Sequence, residues 1–84
     1  MKFRIELTRR ANKSLTKLHP KDRVRVESRI AELETNPLMK SQSLSGQLYG
    51  LRKTKDKNIR ILFILDLDAQ VLVVESIEYR GNAY

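Results

Sequence analysis

The 84-residue sequence is short of the residues that build metal sites, disulfide bonds and membrane spans. It contains no cysteine, which excludes disulfide bonds and thiolate metal sites, and its single histidine cannot form a zinc site or a two-histidine catalytic pair. Its longest apolar runs, at 61–65 and 71–74, are far shorter than the roughly 20 residues that a membrane-spanning helix needs. The first residues alternate between charged and apolar and do not form the apolar block of a signal peptide. A cytoplasmic protein is therefore expected.

Acidic residues are also scarce, since 10 Asp and Glu stand against 17 Lys and Arg, for a net charge of +7. Such an excess favours an anionic partner. Residues 1–48 contain 11 of the cations and 5 of the anions, but the densest cluster is at 52–60, where five cations surround Asp56. Two basic regions are compatible with two partners, a polymer and an acidic protein. Equally, the cations of the N-terminal half are compatible with helix surfaces that are charged for solubility and bind no partner.

The length and the 40% apolar content indicate one folded domain, residues 1–84, with one core. Alternation at 2–7 predicts a half-buried strand. Thr8 then suits the N-cap of a helix that ends at His19-Pro20, and a second helix ends before Asn36-Pro37. The apolar faces of the two helices are formed by residues at i, i+4 and i+7, namely Ala11, Leu15 and Leu18, then Val26, Ile30 and Leu33.

The second half predicts a loop at 37–47 and three strands at 48–55, 58–65 and 71–78, with a turn at 66–70. The unbroken apolar run 61–65 predicts a strand that is buried on both faces. The order β-α-α-β-β-β indicates an α+β fold, in which a helical hairpin packs on one face of a mostly antiparallel four-stranded sheet. The face without helices is expected to carry the functional residues.

Strand parity separates the cations of this half. Arg60 faces away from Ile59 and Ile61, and Lys53 and Lys55 point together, with Arg52 opposite them. Two successive hairpins bring Lys55, Arg60, Arg80 and the following Tyr84 to the same end of the sheet. Like charges that converge are costly without an anion, which favours binding, although lysines also protect sheet edges against aggregation.

Three segments of the sequence together resemble the RelE branch of the RelE/ParE toxin superfamily, and the resemblance spans nearly the whole chain. They are Leu48-Tyr49-Gly50-Leu51, Asn58-Ile59-Arg60-Ile61-Leu62-Phe63 and Tyr79-Arg80-Gly81-Asn82-Ala83-Tyr84.

The resemblance implies a ribosome-dependent endoribonuclease that cleaves mRNA in the decoding site, by attack of a ribose 2′-hydroxyl on the adjacent phosphate. It implies that Arg60 and Arg80 hold the scissile phosphate and that Tyr84 acts as base or orienting group. By the same resemblance Lys53 and Lys55 contact RNA or assist proton transfer. No metal or other cofactor is implied. Further RNA contacts are expected from nearby cations and tyrosines, namely Arg52, Lys57, Tyr49 and Tyr79.

The resemblance also implies partners. A small antitoxin protein with an acidic or amphipathic segment is expected to cover the basic site, and operator DNA is expected to be bound only through that antitoxin; mRNA and ribosomal RNA are the targets, and no membrane is involved. The sequence departs from the family where Lys53-Thr54-Lys55 replaces a frequent Arg-x-Arg and Tyr79 replaces a frequent histidine. Two alternatives stay open, a ParE-like DNA gyrase poison and a non-catalytic basic module that binds RNA or protein.

Overall fold

The computed structural model describes residues 2–44 and 50–79, which form two helices and a five-stranded sheet. None of the helices in these two ranges is long and apolar enough to cross a membrane. The predicted α+β fold is confirmed. In chain order the elements are β1 (Arg4–Leu7), α1 (Arg9–Lys17), α2 (Pro20–Thr35), β2 (Gln42–Ser43), β3 (Leu51–Asp56), β4 (Ile59–Asp66) and β5 (Val71–Tyr79).

Both helices begin where the sequence predicts. The Thr8 Oγ1 accepts a hydrogen bond from the Ala11 N–H (3.0 Å) and donates one to the Glu75 carbonyl (2.9 Å), so the same hydroxyl caps α1 and attaches it to β5. His19 caps α2 through Nδ1, which accepts from the Lys21 N–H at 3.3 Å, and Pro20 occupies the first turn. The single histidine therefore has a structural role at the helix junction.

The strands are ordered β1-β5-β4-β3-β2, and every pair is antiparallel except β1 with β5. The sheet has one strand more than the four predicted, because Gln42 and Ser43, in the segment predicted as loop, pair with Lys53 and Arg52. Two polar residues have no periodicity to detect, and their pairing depends on the free edge of β3. That strand begins later than predicted, after Gly50, which has the left-handed φ of +79° that favours glycine.

Side-chain parity in β4 positions the core. Ile59, Ile61 and Phe63 are wholly buried on the helix side, where they join Val26 and Leu33 of α2 in one hydrophobic cluster. The prediction that the run 61–65 is buried on both faces is wrong, since Leu62 is half-buried and Ile64 is 38% exposed on the opposite side. One face of the sheet is therefore left without helices to cover it, as predicted.

Candidate nucleic-acid-binding and catalytic site

We call the sheet surface opposite the helices the open face. Directly paired residues of neighbouring strands project from the same face, with Cβ atoms about 4.5–5.5 Å apart. The register pairs Lys55 with Arg60, and Arg60 with Glu78, so these three side chains form a row across β3, β4 and β5. The next row along the strands contains Lys53, Leu62 and Ser76. The open face thus brings together Lys53, Lys55 and Arg60, which we call the open-face cations.

The open-face cations have little internal neutralisation. Within residues 2–44 and 50–79 none of the three is in an ion pair, and the buried Nε of Arg60 has no hydrogen-bond partner there. Glu78, the cross-strand neighbour of Arg60, lies 4.0 Å from the Arg10 guanidinium at the start of α1. A buried donor without a partner is rare in folded proteins. Arg60 as a whole is only half-buried, and a guanidinium without an ion pair among the described residues is suited to bind an incoming anion.

Three of the predicted site residues, Arg80, Tyr84 and Tyr49, lie outside the described residues, so their predicted roles stay predictions. β5 ends at Tyr79, one residue before Arg80 and one after Glu78. Because Glu78 is paired with Arg60, the last described residues of β5 lie beside the open-face cations.

Two of the other predicted RNA contacts lie on the helix side of the sheet. The Arg52 guanidinium donates to Ser41, from Nε to Oγ at 2.7 Å and from Nη2 to the carbonyl at 3.0 Å, and so fixes the segment before β2. The Tyr79 hydroxyl donates to Asp22 Oδ2 at 2.7 Å. Lys57 lies exposed in the β3–β4 turn with φ of +56°. The structure does not bring Arg52 and Tyr79 together with the open-face cations, whereas Lys57 lies in the turn that follows Lys55.

Sequence reasoning missed a network that supports the site from the helix side. The Arg25 guanidinium bridges Asp22 (3.2 Å) and the Asp56 carboxylate (3.3 Å), while Asp22 also accepts from Tyr79. The network connects α2 to the end of β3 and the end of β5, the two strand ends that flank Arg60. The only sequence signal was the i, i+3 spacing of Asp22 and Arg25.

The same network predicts a pH dependence. The hydrogen bond to the Asp22 carboxylate raises the pKa of Tyr79 above its usual 10.0, because loss of the phenolic proton breaks the bond and places two anions together; the nearby Arg25 opposes this only in part. A pKa raised by folding means that the Tyr79 contribution to stability is present below pH 10 and lost as pH rises through the folded-state pKa.

We therefore expect the free energy of unfolding to fall above pH 10 more steeply in the wild type than in Tyr79→Phe. Urea unfolding at several pH values measures it, and the difference in phenolate absorbance between the two proteins reports the ionisation of Tyr79. Identical pH profiles for the two proteins would show that the hydroxyl does not bind Asp22.

The described residues contain no group of three or more His, Cys, Asp or Glu side chains placed to hold a metal ion. What the open face offers instead is a guanidinium beside two ammonium groups. A guanidinium can bind phosphate oxygens through two parallel hydrogen bonds, and ammonium groups can stabilise additional negative charge. The arrangement suits a phosphodiester and the charge that develops on it during cleavage.

Comparison with known proteins agrees with the resemblance seen in the sequence. No family model matches the chain. A curated protein of Methanocaldococcus jannaschii named "Putative toxin RelE1" is 26% identical over 87 residues, which cover all of this chain and 97% of that protein.

Solved structures agree on the fold. The RelBE2 toxin–antitoxin complex of Mycobacterium tuberculosis matches with a TM-score of 0.86 and 22% identity, over 95% of this chain and 100% of the matched chain. The archaeal RelE–RelB complex of Pyrococcus horikoshii matches with a TM-score of 0.84 and 19% identity, over 99% and 100%. The isolated Escherichia coli RelE toxin matches with a TM-score of 0.85 and 19% identity, over 96% and 87%.

Proposed function

Because this chain is RelE-like in fold and, more distantly, in sequence, we propose that it is the toxin of a toxin–antitoxin system and a ribosome-dependent endoribonuclease that acts on mRNA in the cytoplasm. The observation that carries the proposal is the pairing of Lys55 with Arg60 on the open face, with Lys53 one row away and no ion pair to any of them among the described residues. A rigid sheet holds these cations in place, so a bound phosphate meets donors that need no reorganisation.

The reaction requires three things of the site. A group must take the proton of the ribose 2′-hydroxyl, donors must stabilise the phosphorane formed when the 2′-oxygen attacks, and a proton must reach the departing 5′-oxygen. The P–O5′ bond breaks as the P–O2′ bond forms, which leaves a cyclic phosphate and a free 5′-hydroxyl. In this proposal Arg60 and Arg80 hold the phosphate oxygens, Tyr84 takes or orients the 2′-hydroxyl proton, and Lys53 and Lys55 contact RNA or assist proton transfer.

A small antitoxin is the proposed protein partner. Two of the solved complexes that share the fold contain RelE with RelB. On the open face of this chain, half-buried Leu51 and Leu62 and the exposed Ile64 lie along the strands from the cations. The open face thus has an apolar patch next to a basic one. This combination suits an amphipathic segment with acidic residues, which would mask the cations when bound. Operator DNA would be bound only through that antitoxin.

A second candidate is a basic RNA-binding module without catalysis. It is favoured by Tyr79, whose hydroxyl is held by Asp22 at the position where RelE-like proteins often carry a histidine. A chain without that proton carrier depends on the open-face lysines and Tyr84 for acid–base chemistry.

The test is an in vitro translation reaction in which cuts in the mRNA are mapped by primer extension. We expect cuts that require ribosomes, that are lost in Arg80→Ala and that are weakened about 100-fold or more in Tyr84→Phe, as is typical for loss of a proton-transfer group. Intact mRNA with normal translation would contradict the nuclease, and retained RNA binding would then favour the module. Gyrase-dependent DNA breaks would favour a ParE-like poison.

A further inference from the structure

A second basic concavity lies around the edge of the sheet from the open face. β2 pairs only with Arg52 and Lys53, so from Thr54 onward no described strand covers the outer edge of β3. A groove opens there between that edge, α2 and the segment before β2. We call it the edge groove; its lining includes Arg29, Lys40, Ser41, Gln42, Lys53 and Lys55.

The edge groove is lined mainly by cations and hydrogen-bond donors. Four cations line it, and no carboxylate does so among the described residues. Glu32 lies outside the lining and contacts only the Nε of Arg29, at 3.1 Å. Four like charges around one concavity are unfavourable without a bound anion. The amide of Gln42 adds a neutral donor, which gives a mixture that suits a tetrahedral oxyanion.

Arg29 is held in place to serve such a site. Its Nη1 donates to the Thr54 hydroxyl at 2.8 Å and to the Lys55 carbonyl at 3.2 Å, and its side chain is only 25% exposed. These bonds and the contact with Glu32 use Nε and Nη1, so the Nη2 protons have no partner in residues 2–44 and 50–79 and can bind a ligand. A guanidinium fixed in this way loses little conformational freedom when it binds.

Lys53 and Lys55 belong both to the open-face cations and to the edge groove. A strand of RNA whose phosphate contacts Arg60 can therefore continue over β3 without leaving cationic surface. We propose that the edge groove is a second phosphate-binding site, which holds a phosphodiester of the same RNA strand next to the one bound at Arg60. This inference rests on the proposed function, because it takes RNA as the ligand of the open face.

The test measures binding of the full chain to a short single-stranded RNA of 2′-O-methyl nucleotides, which cannot be cleaved because the attacking hydroxyl is blocked. The logarithm of the affinity falls with the logarithm of salt concentration, with a slope of about 0.7 per phosphate held on a single strand. We expect Arg29→Gln and Lys40→Gln each to weaken binding about 3- to 10-fold, as for loss of one typical hydrogen bond. The double variant should lower the slope by about 0.7.

Two controls lie on the opposite edge of the sheet. Arg4→Gln in β1 and Lys2→Gln just before it remove the same charges and should change affinity less than about 2-fold. Lys40 is exposed and has no hydrogen bond or ion pair to the other described residues. The Lys40→Gln variant is therefore expected to keep the fold, even if Arg29→Gln is destabilised by the loss of its hydrogen bonds. Thermal melts of each variant check this.

An unchanged slope in the double variant would overturn the second site. So would variants that lose affinity for a synthetic oligoglutamate but not for RNA, because the groove would then bind an acidic protein segment. The translation reaction separates this inference from the proposed function. Ribosome-dependent cuts with an unchanged slope would remove only the edge groove, whereas a lowered slope without cuts would keep the groove and remove the nuclease.

Discussion

Replacement of Arg60 by glutamine should lower mRNA cleavage about 100- to 1,000-fold, the loss typical when one donor to a developing oxyanion is removed. Arg60 lies between Lys55 and Glu78 in the sheet, and its buried Nε has no partner among residues 2–44 and 50–79. Because Arg60 as a whole is only half-buried and is in no ion pair among those residues, its guanidinium is available to the scissile phosphate. Primer extension in the translation reaction measures the effect.

The stability of the same variant should change by less than about 1 kcal/mol, because Arg60 has one like-charged and one oppositely charged cross-strand neighbour whose effects nearly cancel. Arg60→Lys should recover part of the activity, since an ammonium keeps the charge but not the forked geometry. Arg4→Gln, at the far edge of the sheet, serves as the matched control. Full cleavage by Arg60→Gln, or loss of activity only in proportion to unfolding, would exclude the proposed role.

The largest stability effect is expected at Phe63. This side chain is wholly buried in the middle of β4, where it pairs with Arg52 of β3 and Val74 of β5, and it is the largest fully buried side chain in the described residues. Phe63→Ala should lower the free energy of unfolding by about 3–5 kcal/mol. For a domain of this size that corresponds to a fall in Tm of about 12 °C or more. Urea unfolding and thermal melts followed by circular dichroism measure both quantities.

The adjacent residue provides the control. Ile64 projects from the open face and is 38% exposed, so Ile64→Ala should cost at most about 1 kcal/mol. Comparable losses at both positions would mean that the two faces of β4 are wrongly assigned. A larger loss of stability in Ile64→Ala than in Phe63→Ala would mean that the hydrophobic core lies on the Ile64 side of the sheet.

The sequence predicted correctly those residues whose positions follow from the two-residue repeat of a β-strand. Ile59, Ile61 and Phe63 alternate with Arg60, so their faces follow from strand geometry, and the single tight turn at 57–58 suffices to bring Lys55 beside Arg60. By contrast, Gln42–Ser43 became a strand only because the edge of β3 was available to pair with it.

The network below the site was beyond reach of the sequence for a related reason. The hydrogen bond between Asp22 and Tyr79 joins residues 57 positions apart, and Arg25 reaches Asp56 from another element. No local pattern encodes such contacts, because they depend on how α2 packs across the ends of β3 and β5. From the sequence alone, these charged residues are equally compatible with a solvent-exposed surface that makes no such contacts.

The parallel pairing of β1 with β5 has a consequence for biosynthesis. Residues 4–7 leave the ribosome well before their hydrogen-bonding partners at 71–74, which emerge only after more than sixty further residues. Thr8 likewise awaits Glu75 before the start of α1 is fixed to the sheet. Contacts between distant segments form late and slowly. The nascent chain therefore has no complete sheet on which to assemble the open-face cations until β5 has left the exit tunnel, so the site forms only after translation has passed β5.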